Sequence, residues 1–262
     1  MAGSLIASCL LIAACCLFSQ LVRVIINKKV STPLSKLLCL EFVASAELCA
    51  ACFELIVVAD DYGIWMYAVI LFLLTLWWAT HWGDASACPY IHLEAYLDGS
   101  ISFSQAFLVS LAEIAGGLAI YRYVQYTWDL QLSVHNRSVW DCDADLHVSA
   151  FHGALVEGVA TFLCRIVSRT IAELEPRFGT ALDAFIGTSL VVAACDYSGG
   201  YFNPVLATSL KLNCRGHTFA EHFIVYWIGS IAGSFLSWWT YPVVQGSLFP
   251  IQSMDKNINS IQ

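Results

Sequence analysis

Seven stretches of this chain, 4–26, 36–59, 62–82, 103–123, 149–168, 181–197 and 223–243, are long and apolar enough to cross a lipid bilayer. A spanning helix needs roughly 20 mostly apolar residues, because each adds about 1.5 Å of rise across a hydrocarbon core of about 30 Å. The alternating pattern of a membrane barrel is absent, so the spans read as helices. Charge content points the same way: 12% of the 262 residues are charged, against about 25% in a soluble domain. That is too little to wet a globule of this size, which excludes soluble enzymes. Lys and Arg number 12 against 20 Asp and Glu, a net charge of −8 with no basic patch, which excludes a nucleic-acid partner. Most of the eleven cysteines fall inside apolar runs, where a thiol behaves as a small hydrophobe rather than as part of a disulfide scaffold. The expectation is an all-α integral membrane protein in contact with lipid.

Orientation follows from the first span. No charge precedes it, while Arg23, Lys28 and Lys29 follow it. It is therefore read as an uncleaved helix, not a signal peptide, with its N-terminus on the outer side. Threading the other six spans from this anchor leaves eight basic residues on the cytoplasmic side and four (Arg122, Arg137, Lys211 and Arg215) outside. The sequon Asn136-Arg137-Ser138 falls in an outer loop, so Asn136 is a candidate glycosylation site. Cys142 and Cys214 share that side, and a disulfide between them is open, with no spacing argument to fix their distance.

Two short runs are apolar but too short to span. One follows the third stretch, starting at Cys88-Pro89-Tyr90; the other follows the sixth, starting at Asn203-Pro204-Val205. Proline at the first helical position sacrifices no hydrogen bond and presets φ, so each run reads as a short helix opening at its proline, 89–98 and 204–211. Eight to ten residues rise about 12–15 Å, half the membrane, so two such helices would meet at the midplane. The surroundings repeat as well. Glu41 lies 47 positions before Cys88, and Glu157 lies 46 before Asn203. Gly116 follows Cys88 by 28, and Gly233 follows Asn203 by 30. Each half is thus span, span, half-helix, span; three spans per half invert the second half, which places a functional site at the midplane.

This arrangement resembles the aquaporin (major intrinsic protein) family, whose signature is two Asn-Pro-Ala motifs opening two half-helices. Asn203-Pro204-Val205, preceded by Asp196-Tyr197-Ser198-Gly199-Gly200, is close to the second motif, and Cys88-Pro89-Tyr90 is a departed first one. Glu41, Glu157, Gly116 and Tyr226-Trp227-Ile228-Gly229 match other family markers. The degenerate first motif, the extra apolar segment before the usual first helix, and Cys214 eleven positions after Asn203 resemble the unorthodox, largely intracellular superaquaporin subfamily. The resemblance implies six spanning helices and two half-helices, with one extra N-terminal transmembrane helix. The units are 1–30 for that helix, 36–124 and 149–245 for two hemipore repeats, 125–148 for the outer loop and 246–262 for a cytoplasmic tail. It further implies a passive channel for water and small neutral solutes, a homotetramer, and an intracellular membrane such as the endoplasmic reticulum.

Read onto these residues, the half-helix N-termini carry partial positive charge that repels cations, as in aquaporin-type pores. Asn203 caps its helix and offers an amide N–H to the solute. A thiol is a poor cap, so Cys88 cannot copy it, and Tyr90 puts a ring where the family has a methyl. By matched spacing, Ala68, Val191, Gly200 and Leu206 fall at the outer constriction. Leu206 stands where water channels carry arginine, which implies a wider, greasier filter open to glycerol or hydrogen peroxide. Glu41 and Glu157 are expected to support the approaches to the half-helices, and Gly116 and Gly233 to allow close helix crossings. No metal-ligand pair, nucleophile elbow or phosphate loop is apparent, so no enzyme, metal or cofactor is expected. Two other classes compete with the channel. A seven-helix receptor has no reason to carry the internal repeat; a protein of this fold with its pore closed by Tyr90 or Cys88 would have a structural or adhesive role.

Overall fold

The computed structural model describes residues 2–130 and 142–248; Asn136 and the last fourteen residues of the expected tail lie outside them. The chain runs through α1 (Ala2–Lys29), α2 (Pro33–Tyr62), α3 (Ile64–His81), α4 (Pro89–Leu97), α5 (Phe103–Asp129), α6 (Ala150–Leu174), α7 (Gly179–Ser198) and α8 (Pro204–Lys211). The last span starts as α9 (Phe219–His222), widens into a π-helical stretch (Phe223–Gly229), and continues as α10 (Ser230–Leu248). Among the described residues seven helices are long and apolar enough to cross a membrane, and the one strand-like feature is an isolated bridge between Asp143 and Arg215. The order span, span, short proline-led helix, span occurs twice.

Helix boundaries follow local chemistry. Pro33, Pro89 and Pro204 each open a helix, where a missing N–H is harmless. Ser102 caps α5 by accepting from the Gln105 N–H. Gly63, at φ +82°, ends α2 and begins α3, a backbone conformation that costs glycine little.

The core is organised around α2, buried nearly continuously from Glu47 to Leu55 and packed against α1, α3, α5 and α8. Two helix crossings are made by glycine at corresponding places. At Gly116 of α5 a Cβ would overlap the carbonyl of Phe42 on α2; at Gly233 of α10 it would overlap the carbonyl of Gly158 on α6. Helices approach this closely in membranes because packing, not hydrophobic collapse, is what holds them together.

The extra helix α1 is tied to the bundle by a charge. Arg23 is 2% exposed and pairs with the fully buried Glu47 of α2 at 2.5 Å. Trp77 Nε1 donates to Glu47 Oε1 at 3.0 Å, and Trp82 Nε1 to Oε2 at 3.3 Å. Gln20 Oε1 accepts from Arg23 Nε at 2.9 Å. The Leu5 N–H donates to Tyr62 Oη, securing the opposite end.

On the far side of the bundle, Cys142 and Cys214 form a disulfide with a Cα–Cα distance of 5.0 Å. The Ala144 and Arg215 N–H groups pair with the Arg215 and Cys142 carbonyls alongside it. The alternative left open by sequence is thereby closed, since the segment after α8 turns back onto the one before α6.

Replacing Arg23 by alanine strands the Glu47 carboxylate in an apolar interior. The expected loss is about 3–5 kcal/mol of stability, and the double variant Arg23→Ala/Glu47→Gln should recover most of it. Unfolding midpoints of the three purified proteins in detergent check this.

Candidate functional site: the meeting point of two half-helices

The backbone entering each half-helix cannot be helical, so its N–H groups need acceptors in a region without water, where an unpaired group costs several kcal/mol. Two carboxylates supply them. Glu41 of α2 accepts from the Ser86 N–H at 3.0 and 3.1 Å and from the Ala87 N–H at 2.8 Å. Glu157 of α6 accepts from Tyr201 N at 3.1 Å, Phe202 N at 2.7 Å and Ser198 Oγ at 2.7 Å. Both glutamates are fully buried.

The two approaches have the same backbone. Ala87 and Phe202, each just before its motif, sit at φ +52° and +47°. Cys88 and Asn203 then adopt φ/ψ of −148°/115° and −147°/111°. Left-handed backbone at a residue that is not glycine is strained, and here the carboxylate bonds hold it in place.

The side chains depart from that symmetry. Asn203 Oδ1 accepts from the Val205 and Leu206 N–H groups at 3.0 and 3.3 Å, capping α8. Its Nδ2 donates to the Ala87 carbonyl of the other half at 2.7 Å. An amide has a second N–H, and among the described residues it has no partner. Cys88 makes no side-chain cap to α4, as expected of a thiol, and it is buried and outside any disulfide. Tyr90 instead reaches across the pseudo-twofold, its hydroxyl donating to the Phe202 carbonyl at 2.8 Å. The two halves are latched reciprocally: Asn203 to Ala87, Tyr90 to Phe202.

Above this latch a cavity of about 370 Å³ opens away from α4. Asn203, Leu206, Gly200 and Val191 all line it, so four of the residues expected at the midplane and constriction are brought together. Gly200 is pressed against Val191, whose carbonyl would lie 2.7 Å from an added Cβ. Ala68 is placed elsewhere: it faces an apolar groove with Trp65, Val69 and Phe185, between α3 and α7. Tyr67 and Leu71 take the cavity face. A helix turns about 100° per residue, so a one-residue slip in matching moved the expectation to the wrong side of α3. With Tyr67 and Tyr201 on its wall, the cavity carries two aromatic hydroxyls, and this part of the lining is neither small nor wholly apolar. Tyr201 Oη is bonded to Asp145 at 2.5 Å, and Asp145 pairs with Lys211 at 2.8 Å.

A further buried network went unnoticed in sequence. Glu94, in the middle of α4, pairs with Arg165 and Arg169 of α6 at 2.5 and 2.7 Å. It also accepts from Ser234 Oγ of α10. This fixes the first half-helix to the second half of the molecule. The available signal was two arginines four apart on an otherwise apolar span, together with a carboxylate in a half-helix.

No family model matches the chain. Individual relatives do. It is 29% identical over 221 residues to aquaporin-11 of Milnesium tardigradum, covering 83% of this chain and 80% of that protein. It is 26% identical over 225 residues to human aquaporin-11, covering 84% and 83%. The match to human putative aquaporin-12A, 29% over 183 residues, covers 68% of this chain and 62% of that protein. The chain is a relative of the superaquaporins. Its two latched half-helices, glutamate supports and glycine crossings accordingly belong to a multi-pass membrane protein that is similar to these aquaporins over most of its length.

Removing the Tyr90 hydroxyl (Tyr90→Phe) leaves the Phe202 carbonyl without its buried donor. The expected cost is about 1–3 kcal/mol, read as a lowered unfolding midpoint in detergent with helix content unchanged before the transition.

Proposed function

We propose that the chain is a passive pore for water and small neutral solutes, glycerol and hydrogen peroxide among them. The observation that carries this reading is Asn203, whose amide lies where two helix N-termini converge and lines a cavity of about 370 Å³. A helix N-terminus carries roughly half a positive charge, so two of them facing one point repel cations while an uncharged, hydrogen-bonding solute pays no such penalty. Leu206, Val191 and Gly200 line the cavity with apolar surface, which favours a polyol's carbon backbone more than an arginine would, while Asp60, Asp145 and Asp196 stand on other parts of its wall. Tyr67 lines the same cavity with a hydroxyl, and Tyr201, whose proton goes to Asp145, can accept from a solute O–H. In this reading 36–124 and 149–245 are hemipore repeats with half-helices 89–98 and 204–211, joined by the loop 125–148. Segment 1–30 is the added helix, and 246–262 is a cytoplasmic tail. Four copies assemble as a homotetramer in an intracellular membrane such as the endoplasmic reticulum, with Asn136 on the luminal side carrying glycan.

A second reading rests on Tyr90. Its ring is buried beside the motif, and its hydroxyl holds a carbonyl next to Asn203, as it would in a pore kept shut for a structural or adhesive role.

Stopped-flow light scattering on proteoliposomes tests both. The channel reading expects water and glycerol fluxes well above those of empty liposomes. Asn203→Asp, which replaces the donor amide by a charge, should reduce both to background. Leu206→Arg should cut glycerol flux at least about tenfold, roughly the effect of 1.4 kcal/mol on the barrier, with a smaller effect on water. Background rates from folded, inserted wild type, with flux appearing only in Tyr90→Ala, would establish the closed form instead.

A further inference from the structure

The two glutamates that support the half-helices do not have equivalent surroundings. Glu157 needs only backbone and serine donors. Beside Glu41 stand two further titratable groups, His92 of α4 and Glu113 of α5, each contributing a ligand atom within 4.8 Å of the others. In the second half the corresponding positions, four after Asn203 and three before Gly233, are Ala207 and Ser230. Supporting a half-helix therefore does not require this cluster.

The cluster is also short of donors. His92 Nε2 lies 3.0 Å from Glu41 Oε1, 3.2 Å from Glu113 Oε1 and 3.1 Å from Ser86 Oγ. One ring N–H can be directed at only one of these acceptors. Glu113 is fully buried, and apart from the His92 ring 3.2 Å away neither of its carboxylate oxygens has a hydrogen-bond partner. With His92 protonated and both glutamates ionised the cluster carries a net charge of −1 inside the bundle, which is strongly disfavoured, so it reaches neutrality only by taking up a further proton or a cation. A divalent cation bound to both carboxylates and a neutral imidazole brings the total to zero.

We propose that Glu41, His92 and Glu113 form a binding site for a divalent transition-metal ion of the zinc class. Zinc takes imidazole nitrogen and carboxylate oxygen at about 2.0–2.2 Å in a tetrahedron, whose edges are then about 3.3–3.6 Å. The nitrogen-to-oxygen separations of 3.0 and 3.2 Å fall a few tenths of an ångström short of those edges, a difference that small side-chain rotations absorb. Calcium, with six to eight oxygen ligands at 2.3–2.6 Å, does not fit one nitrogen and two carboxylates. Glu41 already has its outer support, the Ser86 and Ala87 N–H groups, as ligating carboxylates require. Ser86 Oγ or a water completes the fourth position. The ion would join α2, α4 and α5 directly behind Ala87, the residue whose carbonyl holds Asn203. It thus braces the half-helix that Cys88 leaves uncapped.

The test is direct binding, independent of transport. Full-length protein in detergent is stripped with chelator, desalted and titrated with zinc chloride against a fluorescent zinc indicator. Thermal unfolding is followed in parallel. Wild type and His217→Ala, a histidine outside the cluster, should each bind one zinc per chain and unfold at a higher temperature with zinc present. Glu113→Gln preserves shape and should still fold, but should bind at least about tenfold more weakly and lose the thermal shift. Folded wild type that takes up no zinc, or Glu113→Gln that binds and shifts as wild type does, would overturn the proposal.

Discussion

Non-helical backbone at membrane depth has no water to satisfy it, and every other feature of the midplane depends on how this is solved. Glu41 and Glu157 accept the N–H groups of Ser86–Ala87 and Tyr201–Phe202. Each is an ionisable group at a depth where charge is unfavourable, tolerated because its lone pairs are used by donors that would otherwise be orphaned. With the approaches held, Ala87 and Phe202 can stay in left-handed conformations, and each half-helix can begin at the centre of the bundle. Without them there would be no common point for Asn203 and Cys88 to occupy.

From that shared frame the halves diverge. The second keeps an asparagine that caps its own helix and bonds to the first half. The first has lost its cap, and its hold on the fold has moved outward along α4. Tyr90 bonds to Phe202, His92 lies against Glu41 and Glu113, and Glu94 is clamped by Arg165, Arg169 and Ser234. A half-helix gripped along its length by polar contacts to α2, α5, α6 and α10 does not depend on its N-cap. The departed motif is therefore consistent with an intact architecture.

The added helix obeys the same physics. In lipid an apolar helix gains little by leaving its apolar surroundings for a neighbour. Arg23 supplies what packing does not: a buried charge that is paired only when α1 lies against Glu47, with the indoles of Trp77 and Trp82 completing the carboxylate. Removing either partner alone is costly, which makes the docking geometry specific.

Sequence by itself determined the seven spans, the two proline-led short helices and their repeat. These depend on apolar run length and on the fixed φ of proline, both local properties. It also marked Glu41, Glu157, Gly116 and Gly233 by their matching offsets. Side-chain partnership was not legible there. Ala68 and Tyr67 differ by one position, and only the rotation of α3 against α7 decides which faces the cavity. Cys142 and Cys214 lie 72 residues apart and meet because the segment after α8 folds back. Glu94 finds its arginines, and His92 its two carboxylates, across helices distant in sequence. Such contacts are set by the crossing of packed helices. A periodic pattern records which face of a helix is apolar, not what stands opposite it.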